Sequence, residues 1–292
     1  MNSETRTGHL AALVTVLIWG TTFISTKVLL TAFSPIEILL FRFALGYLAL
    51  WAVCPRVLQG VTPRQELYFA GAGLTGVTLY YLLENIALTY TTASNVGVIV
   101  SVNPCFIAIL TFLVFREERL RPSFFVGFVL AMAGICLISF VGSPVALDPL
   151  GDLLALLAAA AWAVYSVLLK HIGTFGFPTL QVTRRIFFYG LVWMLPTLPF
   201  LGFSPDWAAL LRPAMLGNSL YLGLGASALC FVTWGLAVER LGPVKTSVYI
   251  YLVPIITVAG SAIVLRETLT PTALLGMVLT LLGLMVSQKK PA

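Results

Sequence analysis

The chain has 292 residues, a mean hydropathy of +1.00, 59% hydrophobic residues and only 10% charged ones, a composition outside that of soluble globular domains. The net charge of +6 does not point to nucleic acid, because the basic residues fall in short gaps between apolar runs rather than on one face. Cys54, Cys105, Cys136 and Cys230 form no CxxC pair and His9 and His171 are the only imidazoles, so neither a disulfide framework, a metal site nor a cofactor is expected.

Apolar windows bounded by charge, Pro or Gly predict ten membrane-spanning helices, over about 10–30, 35–54, 67–88, 94–115, 122–141, 150–170, 178–200, 214–238, 244–265 and 271–288. The first is too long for a signal-peptide core and has no small-residue cleavage site, so it reads as a retained span. It carries Thr15, Trp19, Thr22 and Thr26 on one face. Span 2 begins at Pro35 and holds Arg42 about two turns inside, while Trp51 near its end suits an interfacial belt.

Span 3 contains the sharpest single residue, Glu84. An unpaired carboxylate at that depth costs on the order of 2.5 to 3.5 kcal/mol, so it must face protein or a wet cavity. Thr78, Tyr81, Glu84 and Asn85 share a helical face by their spacing. The stripe reads either as a helix-packing contact or as cavity lining, with proton coupling at Glu84 a further option.

Span 4 leads through Ser94, Asn95, Ser101 and Asn103 to Pro104 and stops at Arg116-Glu117-Glu118-Arg119. A mid-span proline removes a backbone donor and loosens the preceding turn, which in lipid is tolerated where the helix lines a cavity. Span 6 presents Trp162, Tyr165, Ser166 and Leu169, and span 7 holds Arg184 and Arg185. Like Arg42, these arginines are near enough to an interface to snorkel; the alternative is a counter-charge for an anionic substrate or for Glu84. The gap at Phe203 to Pro213 contains Trp207, which suits an interfacial anchor. Span 8 adds Ser227 and Trp234, and span 9 has Ser247, Tyr249 and Tyr251 before Pro254 and closes at Arg266-Glu267.

Several of these features recur. Pro104 to Glu117 and Pro254 to Glu267 have the same separation; Trp19 and Lys27 match Trp162 and Lys170, and Pro35 and Arg42 match Pro178 and Arg185. Gly127 and Gly134 match Gly276 and Gly283 in the last span of each half. The expected architecture is an all-α integral membrane protein of two five-helix repeats, residues 1–144 and 145–292. An odd number of spans per repeat makes the second enter from the opposite side, so the repeats are inverted around a central cavity. Lys and Arg concentrate in the segments that lie inside when the N-terminus is inside, which places both termini in the cytoplasm.

The run Ala87-Leu88-Thr89-Tyr90-Thr91-Thr92-Ala93-Ser94, the prolines Pro104 and Pro254, the glutamates Glu117 and Glu267 and the Gly-rich last spans resemble the EamA family of the drug/metabolite transporter superfamily, over nearly the whole chain. Within it the chain is similar to the YddG-type exporters of aromatic and other amino acids. The resemblance implies a ten-helix carrier of the bacterial inner membrane that moves a small organic solute outward by alternating access. Candidate substrate contacts are Trp19, Thr22, Thr78, Tyr81, Glu84, Asn85, Asn95, Ser101, Trp162, Tyr165, Ser166, Trp234, Tyr249 and Tyr251. Pro104 and Pro254 are candidate helix breaks, and Arg42, Arg185, Glu117 and Glu267 gate or structural residues. Expected partners are a small-molecule substrate and membrane lipid, with no nucleic acid and no obligate protein.

A proton-coupled antiporter for organic cations is the alternative, and a channel remains distinguishable by flux kinetics. No Walker A sequence is present to hydrolyse ATP. An intramembrane hydrolase lacks a GxSxG-like serine near His171, so an enzyme is not expected.

Overall fold

The computed structural model of the chain describes residues 3–91, 93–116, 121–140, 148–256 and 271–287. The candidate gate residues Glu117 and Glu267 lie outside these described residues. All regular structure among the described residues is helical. The first half contains α1 (Ser3–Trp19), α2 (Thr22–Leu29), α3 (Pro35–Val53), α4 (Pro63–Gly73), α5 (Tyr80–Tyr90), α6 (Ala93–Val100), α7 (Asn103–Phe115) and α8 (Pro122–Phe140). The second contains α9 (Pro149–Gly173), α10 (Thr179–Met194), α11 (Trp207–Leu210), α12 (Pro213–Leu220), α13 (Cys230–Leu241), α14 (Pro243–Ser247) and α15 (Pro271–Ser287).

Five of the described helical stretches are long and apolar enough to cross a bilayer: Glu4–Leu29, Pro35–Val53, Asn95–Phe115, Pro149–Gly173 and Pro213–Leu241. Pro122–Leu137, Pro243–Ile256 and Leu274–Ser287 are apolar but shorter. The expected spans 67–88 and 178–200 are also helical over most of their length. Glu84 and Asn85 dilute the hydropathy of the first, and Gln181, Arg184 and Arg185 that of the second.

Two expected spans contain π-helical turns, Leu74–Leu79 between α4 and α5 and Tyr221–Leu229 between α12 and α13. They end 150 residues apart, and the burial of residues 71–90 recurs at 221–240 with one difference, at Leu74 and Leu224. The π-turn at 74–79 packs on α10 and that at 221–229 on α3, so each is held by a helix of the other half. Glycine makes the first approach possible: a Cβ at Gly73 would lie 2.7 Å from the Gly190 nitrogen and the Ile186 oxygen.

The glycines that recur in the last spans have a similar cause. α8 and α15 touch backbone to backbone; a Cβ on Gly134 would lie 2.5 Å from the Gly276 oxygen, and one on Gly283 2.4 Å from the Ala131 nitrogen. Small residues let helices approach this closely, and without a hydrophobic drive between helices in lipid such packing supplies the association.

The expected break in span 4 is present, with α6 ending at Val100 and α7 beginning at Asn103, one residue before Pro104. Ahead of Pro254 the chain tightens instead into a 3₁₀ turn over Val248–Tyr251. α9 starts at an Asp148 side chain that accepts the Gly151 N–H at 2.8 Å, with Pro149 in its first turn. It then runs along α5, α6 and α7 and places Trp162 at the centre of the molecule.

Candidate functional site

α1, α2, α5, α6, α7, α9 and the turn after α14 converge on a central cavity. Trp19, Thr22 and Phe23 form one wall, Tyr80, Tyr81 and Glu84 a second, and Gly97, Val100, Ser101 and Asn103 a third. Trp162, Ile250 and Val253 complete it. The third wall is the break in span 4, where the C-terminal end of α6 and the N-terminal end of α7 meet. Broken helices place partial negative and positive charge at such a wall, the arrangement by which transporters meet charged solutes at mid-membrane.

The aromatic part is tightly ordered. Trp19 lies edge-on to Trp162, with centroids 5.3 Å apart, and tilted on Trp234 at 5.0 Å. Its Nε1–H donates to the Ala226 carbonyl at 3.0 Å, on the π-turn of the other half. Tyr80 packs on Trp162 at 4.8 Å and donates its hydroxyl hydrogen to Glu84 Oε1 at 2.8 Å. Glu84 is 6% exposed and forms no ion pair among the described residues. The Trp162 and Trp234 Nε1–H groups and the Asn103 Oδ1 are buried with no hydrogen-bond partner among the described residues. Each such group costs about 1–3 kcal/mol when left unpaired, and two of the three, Trp162 and Asn103, belong to the cavity lining.

Of the candidate contacts, Trp19, Thr22, Tyr81, Glu84, Ser101 and Trp162 line the cavity. Others sit behind it. Thr78 donates to the Gly190 carbonyl at 2.9 Å, and Asn85 to the Pro35 carbonyl at 3.3 Å. Tyr165 packs on Trp162 at 4.9 Å, and Ser166 donates to the Trp162 carbonyl. Trp234 is fully buried against Trp19 and Trp162. Asn95 donates to Thr91 and Asp152 at one end of the bundle. Tyr249 hydrogen-bonds His9 at 2.6 Å, and Tyr251 is buried away from the lining.

The single polar stripe expected on span 3 is divided because the π-turn rotates everything before Tyr80 relative to the residues after it. Tyr80 stands four residues before Glu84 in the same α-helix, so ordinary i,i+4 spacing puts the two on one face, and Tyr80 lines the cavity although the expected stripe leaves it out.

Arg42 differs from a snorkelling arrangement. Arg42 is 2% exposed and does not reach an interface; its Nε donates to Ser227 Oγ at 2.6 Å, and its guanidinium lies 4.0 Å from the Tyr81 ring centroid. Arg184 donates to the carbonyls of Cys54 and Arg56 and pins the loop after α3. Arg185 pairs with Glu66, which also accepts the Tyr189 hydroxyl at 2.7 Å. A second hollow beside Arg184, Arg185 and Trp51 therefore has its guanidinium groups already engaged.

The chain matches the EamA-like transporter family over residues 6–140 and again over 149–287. A protein of Archaeoglobus fulgidus described as an uncharacterized transporter is 29% identical, covering 99% of each chain. A protein of Streptantibioticus cattleyicolor described as a probable terminal-alkyne amino-acid exporter is 28% identical, covering 96% of this chain and 93% of its own length. A solved crystal structure superposes with a TM-score of 0.77 over 96% of both chains at 21% identity, a likeness of fold. Two family matches covering nearly all of an apolar, helical chain make this a multi-pass membrane protein, and it belongs to the EamA-like transporter family.

Proposed function

We propose that the protein is a secondary carrier that exports amino acids, aromatic ones included, or closely related metabolites across a bacterial inner membrane. In this reading ten spans form two five-helix units, residues 1–144 and 145–292, inserted in opposite directions with both termini in the cytoplasm. Rocking one unit against the other opens the central cavity to either face. The repeat of burial and π-turns at a 150-residue spacing supports the duplication. The relative described as a probable amino-acid exporter supports the solute class.

The observation that carries the reading is the chemistry of the cavity wall. Glu84 and the Asn103 oxygen accept hydrogen bonds, as an α-ammonium group requires, and the Trp162 indole N–H donates, as a carboxylate requires. The rings of Trp19, Trp162 and Tyr80 offer faces to an apolar or aromatic side chain and to the ammonium. Flux of a labelled amino-acid panel through purified protein in liposomes, with and without a pH gradient, tests it. Saturable uptake accelerated by unlabelled amino acid on the far side is expected. Unsaturable flux would mean a channel. Uptake of organic cations driven by a proton gradient, with no amino-acid counterflow, would establish the antiporter reading, which the placement of Glu84 among aromatic rings favours.

A further inference from the structure

We infer that Glu84 and Arg42 act as a split charge pair that makes the cavity selective for net-neutral zwitterions. It accepts an amino acid and turns away the amine cation, or the carboxylate anion, that carries the same side chain. The inference rests on the central cavity being the solute site.

Arg42 is the unexplained group. It is buried in α3, and no carboxylate pairs with it among the described residues. Arg185 stands seven residues after Pro178, as Arg42 stands seven after Pro35, yet Arg185 has Glu66. A buried guanidinium without a counter-ion is costly. What holds Arg42 is Ser227 Oγ at 2.6 Å, the Ala226 carbonyl at 3.5 Å and the face of Tyr81 at 4.0 Å.

Tyr81 is itself part of the cavity wall. The guanidinium therefore stands one ring behind the cavity, against a residue that lies one turn before Glu84 on α5. In the proposed pair the two charges compensate across this ring with no ion pair between them among the described residues.

The consequence for a solute comes from Coulomb's law. An amine cation bound at Glu84 leaves Arg42 without compensation, and an anion does the same to Glu84. A zwitterion places its ammonium at Glu84 and its carboxylate toward the indole N–H of Trp162, so the wall stays balanced. Taking a separation of about 10 Å and an effective dielectric constant of about 20, one uncompensated charge corresponds to roughly tenfold or more in affinity.

The test is displacement of labelled phenylalanine from the purified full-length protein by phenylalanine, phenethylamine and 3-phenylpropionate. In the wild type the amine and the acid should each bind at least about tenfold more weakly than phenylalanine. Arg42→Met should bring the amine up toward phenylalanine, whereas Arg42→Lys, which keeps the charge, should preserve the ranking. If Arg42→Met does not fold, the wild-type ranking still decides. Equal binding of amine and phenylalanine by the wild type overturns this inference and leaves amino-acid transport standing. Binding of the amine with no amino acid bound, read by direct titration, overturns both, as does the absence of binding by any of the three.

Discussion

Replacing Glu84 by Gln separates the charge of this residue from its shape. The amide oxygen can still accept the Tyr80 hydroxyl now bonded at 2.8 Å, and the side chain keeps its volume among rings with few gaps. Folding should therefore change little, with thermal stability in detergent close to that of the wild type. Binding should not. A solute ammonium still donates a charge-assisted hydrogen bond to the Gln oxygen but loses its Coulomb attraction to a carboxylate. The difference, about 0.5–2 kcal/mol, corresponds to a rise in KM for a zwitterionic amino acid of roughly twofold to thirtyfold. Because Glu84 is 6% exposed and has no salt bridge among the described residues, the upper part of that range applies. Counterflow of labelled phenylalanine in liposomes measures KM directly. An unchanged KM in a protein of unchanged stability would refute the assignment of Glu84 to the ammonium. The same liposomes under a pH gradient address coupling, since pH dependence that survives Glu84→Gln removes the residue from any proton pathway.

The α8–α15 contact makes Gly283→Ala destabilising by about 1–3 kcal/mol through overpacking, because the new Cβ would lie 2.4 Å from the Ala131 nitrogen. Gly217→Ala, where a Cβ meets nothing within 4 Å, should be neutral or stabilising by up to about 1 kcal/mol; equal melting temperatures for the two variants would contradict the packing argument. Glu66 and Arg185 join α4 to α10, so a double-mutant cycle with Glu66→Gln and Arg185→Gln should give a coupling of about 0.5–3 kcal/mol in stability, and additive losses would argue against a shared contact. For orientation, single cysteines at the exposed positions Gln59 and Thr174 should react with a membrane-impermeant thiol reagent from the cytoplasmic side, and one at Ser204 from the opposite side. Labelling of all three from one side would rule out the inverted arrangement.

Much of the helical framework was legible in the residues themselves. Membrane residence comes from hydropathy, because lipid selects for apolar side chains whatever they later touch. The break near Pro104 comes from a missing N–H, a local property that packing does not repair. The glycines of the last spans and the paired Trp19 and Trp162 also stood out, since duplication leaves matching residues at matching spacing. Duplication singles out Trp19 and Trp162, and a carboxylate deep in an apolar span singles out Glu84; all three line the cavity.

Tertiary structure decided which polar groups face one another. Thr78 and Asn85 share a helical face with Glu84 in an ideal helix, yet Thr78, inside the π-turn at Leu74–Leu79, turns to the Gly190 carbonyl and Asn85 to the Pro35 carbonyl. Arg42 and Arg185 hold equivalent sequence positions, but only Arg185 meets a carboxylate, because Glu66 of the first half is carried to α10 by packing between the halves. Hydropathy and backbone chemistry act over a few residues, so the chain alone determined that it crosses a membrane as broken, repeated helices. Whether a buried charge is paired depends on side chains distant in sequence, and only the assembled bundle, with Arg42 one ring behind the cavity and Glu84 within it, decided that.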